Sequence, residues 1–198
     1  MSEGKFSRRD FMKVTGAGTA GFVLGGKAQD AAASELAGPT APPPMPERPL
    51  GKTGHNVRLF SLGGQATIEK EGTLDESVAI INRAIDMGVN YLDTAASYGG
   101  GISQKYFGEV MATRRDEVFL ATKTHNRTRD GSLQLLEQSL ESLQTDHLDL
   151  WQLHNISRME QLDQIFADDG AIHALLEARE QGIVKNLGIT GHADPDVL

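Results

Sequence analysis

The chain has 198 residues, a formal charge of −8 and 39% hydrophobic residues. That length can bury the core of one domain, while the acidic balance argues against a nucleic-acid or anionic-membrane surface, since both recruit basic patches. Cysteine is absent, which removes disulfides, thiolate nucleophiles, Cys-ligated zinc and iron–sulfur clusters together.

The first predicted segment is an address. Ser7-Arg8-Arg9-Asp10-Phe11-Met12-Lys13 precedes a mildly apolar, Gly-rich stretch and then Ala31-Ala32-Ala33. This resembles a twin-arginine export signal, with Met12 where Leu is more usual. It implies a signal peptide over 1–33, the twin-arginine machinery as a partner, a periplasmic destination and no stable membrane insertion after processing. That route carries folded proteins, which suits an enzyme that takes up a soluble cofactor before export. Gly16-Ala17-Gly18-Thr19-Ala20-Gly21 matches the dinucleotide fingerprint, but no strand precedes it, so it carries no binding reading. Residues 34–49 read as a Pro-rich disordered linker, with the folded domain over 50–198.

From there the elements alternate. Gly51-Lys52-Thr53-Gly54 is a turn between two short extended segments, a hairpin placed to seal the bottom of a barrel. Strands are predicted at 59–62, 90–94, 118–123, 148–154 and 185–190, a pitch of about 30 residues that fits βα units. The first helix carries a capping box of Thr73 and Glu76, an apolar face of Leu74, Val78, Ile81 and Ile85, and a stop at Gly88. Leu133, Leu136, Leu140 and Leu143 mark another helix; Met159, Leu162, Ile165 and Phe166 a short one; and 171–181 a further one, stopped at Gly182. Asp194 caps a last helical start at Pro195. The fold class is α/β, an (α/β)8 TIM barrel with about five of its eight units in this chain. Five strands do not close a barrel of eight, so the sequence reads as the N-terminal five-eighths of a longer protein.

Four side chains fall at or just past the predicted strand ends: Asp93, Tyr98, Lys123 and His154. A parallel barrel builds its active site on that rim, from several different strands. A carboxylate holds an ammonium charged, and an ammonium beside a phenol eases proton loss from it. The imidazole then orients a carbonyl oxygen or relays a proton. General-acid assistance of this kind is worth about 10²–10⁴ in rate.

Arg48-Pro49-Leu50-Gly51-Lys52-Thr53-Gly54, Leu62-Gly63-Gly64, Gly88-Val89-Asn90-Tyr91-Leu92-Asp93-Thr94-Ala95 with Tyr98-Gly99, and Leu148-Asp149-Leu150-Trp151-Gln152-Leu153-His154 resemble an aldo-keto reductase. The likeness runs from about Arg48 to Gly188 and includes all four catalytic positions. It implies a barrel that uses NADPH, or NADH, to reduce a small-molecule aldehyde or ketone reversibly. By that resemblance Tyr98 is the general acid/base, Lys123 lowers its pKa, Asp93 holds Lys123 and lies near the nicotinamide ribose, and His154 orients the carbonyl. Gly64, Gln65, Asp93 and Thr190 become cofactor contacts by position. Two places depart from the family pattern. Thr190-Gly191 stands where Ser-Asn is common, and Gln104 where an acidic residue is common.

Two rival readings follow from the same residues. His125, His154 and His192, with Asp93 and Asp194 near, make a metal-dependent barrel hydrolase an alternative, although no H-E-x-x-H or His-x-His occurs. A nucleotide-sensing module or inactive fragment on the same scaffold is the other, since fold does not fix function. The tripeptides Asn126-Arg127-Thr128 and Asn155-Ile156-Ser157 match glycosylation acceptors by coincidence.

Overall fold

Five strands lie side by side in chain order, all parallel. They are β3 (Leu62–Gly63), β4 (Tyr91–Asp93), β5 (Phe119–Thr124), β6 (Leu148–Leu153) and β7 (Val184–Ile189) in a computed structural model that describes residues 44–198. Sequential parallel neighbours joined by helices are the wall of a partial TIM barrel. The expected signal peptide and residues 34–43 of the expected linker lie outside the described residues.

Burial explains why these segments are strands. Every residue of β5 is buried, and β6 nearly so, as expected of a parallel strand covered on both faces. Trp151 and Leu120 are fully enclosed, and α1 (Leu74–Asp86), α2 (Ile102–Arg114), α3 (Arg129–Leu143) and α5 (Ala171–Glu180) add Ile81, Phe107, Leu143 and Leu175 to the same core. The short α4 (Met159–Phe166) stands in the connection after β6, burying Ile165 and leaving Met159 and Phe166 exposed.

The hairpin is present: β1 (Glu47–Pro49) pairs antiparallel with β2 (Asn56–Arg58). Pairing therefore starts three residues before the expected Leu50. The Arg58 amide donates to Asn90 Oδ1 at 2.8 Å and its guanidinium donates to the Gly88 carbonyl at 2.7 Å. Both acceptors precede β4, so the hairpin covers the N-terminal end of the sheet, opposite the strand ends at Asp93 and Lys123.

Three expectations are corrected. The first barrel strand is Leu62–Gly63, not 59–62, because the Leu59 amide still follows the hairpin, donating to the Pro46 carbonyl. Leu59 and Phe60 are accordingly 68% and 67% exposed. Thr73 does sit at the start of α1, but no capping box forms. Its hydroxyl donates to the Lys70 carbonyl and meets Ser77 Oγ instead, and Leu74 faces solvent. Finally, α2 was not anticipated, because its buried face includes Ser103, Gln104 and Gly108. These meet strand and helix polar groups: Ser103 with Thr94 at 2.8 Å, and Gln104 with Thr122 at 2.8 Å and Ser139 at 2.9 Å. Satisfied buried polar groups pack a helix without giving it an apolar period.

Candidate active site

Backbone hydrogen bonds across the strand ends assemble the rim. The Thr94 amide donates to the Ala121 carbonyl, the Ala96 amide to Lys123, the His154 amide to Thr124 and the Thr190 amide to Leu153. Each loop is thus stitched to its neighbour, which fixes where the side chains of Asp93, Lys123 and His154 begin. After Tyr98 the chain must swing into α2. Gly99, Gly100 and Gly101 do this with φ of 57°, 62° and 97°, and a Cβ on Gly99 would lie 2.4 Å from the Glu69 carbonyl oxygen. Only glycine meets both demands cheaply.

Asp93, Tyr98, Lys123 and His154 come together. Lys123 Nζ donates to Asp93 Oδ1 in a tight ion pair, to the Thr94 carbonyl at 2.8 Å and to the Tyr98 hydroxyl oxygen at 3.3 Å. Its three protons are therefore all used. Lys123 is only 4% exposed, so a carboxylate is needed there to offset desolvation. The ammonium also lies 4.8 Å from the centre of the Tyr98 ring, and the His154 ring meets that ring edge-on, 5.5 Å between centres. Burial first, then the positive charges of Lys123, His125, Arg127 and His192, pushes His154 down to about 4. The imidazole is neutral at physiological pH.

The expected cofactor positions fare differently. Gly64 is buried under Asp93, its amide donating to the Asp93 carbonyl at 2.7 Å, and a Cβ there would lie 2.3 Å from Ser103 Oγ. Gln65 is exposed beside it. The Thr190 hydroxyl accepts from the Asn155 amide at 2.9 Å and tethers β6 to β7, leaving one lone pair free. Asp93 Oδ2 meets only Gln152, at 3.5 Å, so the half-exposed side of this carboxylate can accept from an incoming hydroxyl. His125, His154 and His192 do not gather with a carboxylate into a set of three that could grip one ion among the described residues.

Three residues at the site escaped the sequence reading. Ser97 Oγ lies 3.3 Å from His154 Nδ1; Arg127 donates to the His154 carbonyl at 2.7 Å; Gln152 faces Asp93. Only Gln152 carried a usable signal, since two residues before His154 a strand returns to the same face.

The chain as a whole matches known proteins. A model of the Aldo/keto reductase family matches residues 59–198, and one of the twin-arginine translocation signal sequence matches residues 5–25. An oxidoreductase of Bacillus subtilis, YqkF, is 30% identical over 158 residues, covering 74% of this chain and 49% of that protein. L-galactose dehydrogenase of Arabidopsis thaliana is 31% identical over 156 residues, covering 73% and 48%. The chain spans about half the length of the curated relatives it matches. Among solved structures, an aldo-keto reductase of Bacillus halodurans in its holo form superposes with a TM-score of 0.64 at 28% identity, covering 74% of this chain and 50% of that one. An aldo-keto reductase of Klebsiella pneumoniae in complex with NADPH gives 0.62 at 26% identity, covering 72% and 48%.

Proposed function

The chain belongs to the aldo/keto reductase family, and from that premise we propose that it reduces an aldehyde or ketone to an alcohol, reversibly, with NADPH or NADH. The observation that carries this reading is the Lys123 ammonium, shared between the Asp93 carboxylate and the Tyr98 hydroxyl, with a neutral imidazole at the edge of the phenol.

The residues fit one end of a nicotinamide nucleotide. Asp93 Oδ2 would accept from a ribose hydroxyl, with Gly64, Gln65 and the free lone pair of Thr190 as the neighbouring contacts. When bound, the cofactor supplies a hydride to the carbonyl carbon. The π pair then moves to the oxygen, and Tyr98 gives that oxygen its hydroxyl proton. Lys123 stabilises the phenolate left behind, while Asp93 keeps Lys123 charged and in place. His154, neutral, donates a hydrogen bond that orients the carbonyl and leaves proton donation to Tyr98.

Export belongs to the same proposal. Residues 1–33 act as the signal peptide of a twin-arginine substrate delivered to the periplasm, 34–46 as a spacer, and the hairpin and barrel follow; the signal match over 5–25 supports this. No helix among the described residues is long and apolar enough to cross a membrane.

The test is Tyr98→Phe, measured on this chain and on the product of its full reading frame. Turnover should fall by about 10²–10⁴, while NADPH affinity, read from nicotinamide fluorescence, stays as it was. Wild-type turnover in that variant would remove Tyr98 from its role. Binding without turnover in the unaltered protein would favour the sensing module instead.

A further inference from the structure

The loop after β5 sends one side chain away from itself. Asn126 Oδ1 accepts from both the amide and the hydroxyl of Thr128 at 2.9 Å, a local turn that pins the backbone on either side of Arg127. Arg127 then reaches the end of β6, where Nη2 donates to the carbonyl of His154 at 2.7 Å and to that of Asn155 at 3.3 Å. Asn155 is itself in the left-handed region, with φ of 54°. Arg127 Nη1 is buried with no hydrogen-bond acceptor, and no carboxylate pairs with this guanidinium among the described residues.

That arrangement is costly as structure alone. Arg127 is half-buried, a cation with an enclosed nitrogen normally has a counter-ion, and two carbonyls need only hydrogen bonds, not charge. Arg127 leaves its partnerless nitrogen, Nη1, shut away from solvent. What it does adjoin is the imidazole. Around His154 stand Lys123 from β5, His125 and Arg127 from the following loop, His192 from the loop after β7, and Ser97 and Tyr98 from the loop after β4. The nearby carboxylate, Asp93, is bound to Lys123.

We propose that Arg127 is a positioning residue for His154, its guanidinium clamping the backbone at His154 and Asn155 and setting a positive charge beside the imidazole. The purpose rests on the reductase reading; the geometry does not. An imidazolium would compete with Tyr98 as proton donor, whereas a neutral ring only orients the carbonyl. In the tautomer where the Ser97 hydroxyl donates to Nδ1, the neutral ring carries its proton on Nε2, free to point at substrate. The low value of His154, about 4, has Arg127 among its causes, after burial, Lys123 and His125.

An NMR titration of the histidine rings in the full chain tests this, with the His154 signal assigned by its loss in His154→Gln. In the unaltered protein His154 should titrate well below the ordinary 6.5. Arg127→Gln keeps a donor for the carbonyl without the charge, and should raise the His154 value by about half a unit to one unit. Arg127→Lys keeps the charge, and should leave it depressed. An unchanged value in a folded Gln variant overturns the proposal. So does a Lys variant in which His154 returns to its ordinary value, a reading that stands even where the Gln variant does not fold. The titration needs neither cofactor nor turnover. A reductase that fails to turn over leaves this inference standing, and a failed titration leaves the reductase reading standing.

Discussion

Asp93 and Asp149 occupy opposite ends of one parallel sheet, and each is bonded to a lysine. At the N-terminal end Asp149, 6% exposed, takes the Leu120 amide at 2.9 Å, Arg115 at 2.7 Å and Lys185 at 2.8 Å. Burial pushes this carboxyl up, but the Leu120 amide, Lys185 and Arg115 outweigh it, and it is held below the usual carboxylate range. Its bonds close a structural knot among three neighbouring strands and their connections. At the other end the Asp93–Lys123 pair is unfinished. One carboxylate oxygen meets only a long contact, and the third ammonium proton goes to a phenol. The same pair of chemical groups is an anchor where its bonding is saturated, and a candidate reaction site where it leaves capacity for a ligand.

This contrast can be broken by substitution. Lys123→Met should lower turnover by about 10²–10⁴, measured as NADPH consumption, because it removes the charge beside the Tyr98 oxygen. Asp149→Ala should do the reverse. It strands Arg115 beside a buried gap and should cost about 3 kcal/mol in urea unfolding, with the rim geometry intact. A rim made inactive by the Asp149 change would show that the two ends are coupled. Smaller still is Gly64→Ala, whose new Cβ falls 2.3 Å from Ser103 Oγ and 3.1 Å from the Asp93 carbonyl oxygen. It should cost about 2 kcal/mol and weaken cofactor binding through Asp93.

The mildest probe is pH. His154 is lowered in the folded chain, so the unfolded chain binds more protons between about 4 and 6.5. Its contribution is fully present above 6.5 and is lost as pH falls through that window. Asp149 is also lowered, so its contribution is present above the unfolded value and lost only at lower pH, as pH falls through the folded one. Urea midpoints against pH should therefore show two descents. His154→Gln should remove the upper one and Asp149→Asn should shrink the lower, to which the lowered Glu117 and Asp146 also belong.

The rim was legible because Asp93, Lys123 and His154 there follow largely apolar strands, and an apolar run followed by a polar residue is a sequence pattern. The hairpin, α3, α4 and α5 were legible for the same reason, each having a turn or period of its own. Helix α2 was not, since Gln104 and Ser103 are buried by tertiary hydrogen bonds that no local pattern records. Strand β3 was misplaced because Leu59 and Phe60 are apolar yet exposed. Arg127 was illegible for the simplest reason: its meaning depends on a carbonyl 27 positions along the chain.

The central claim is that this rim passes a hydride and a proton to a carbonyl. The most direct measurement follows deuterium from NADPH labelled at nicotinamide C4 into the alcohol formed from an aldehyde, with Tyr98→Phe alongside. The account predicts deuterium on the carbinol carbon of the product and almost no product from the variant. An alcohol without deuterium, or equal product from both proteins, would contradict it.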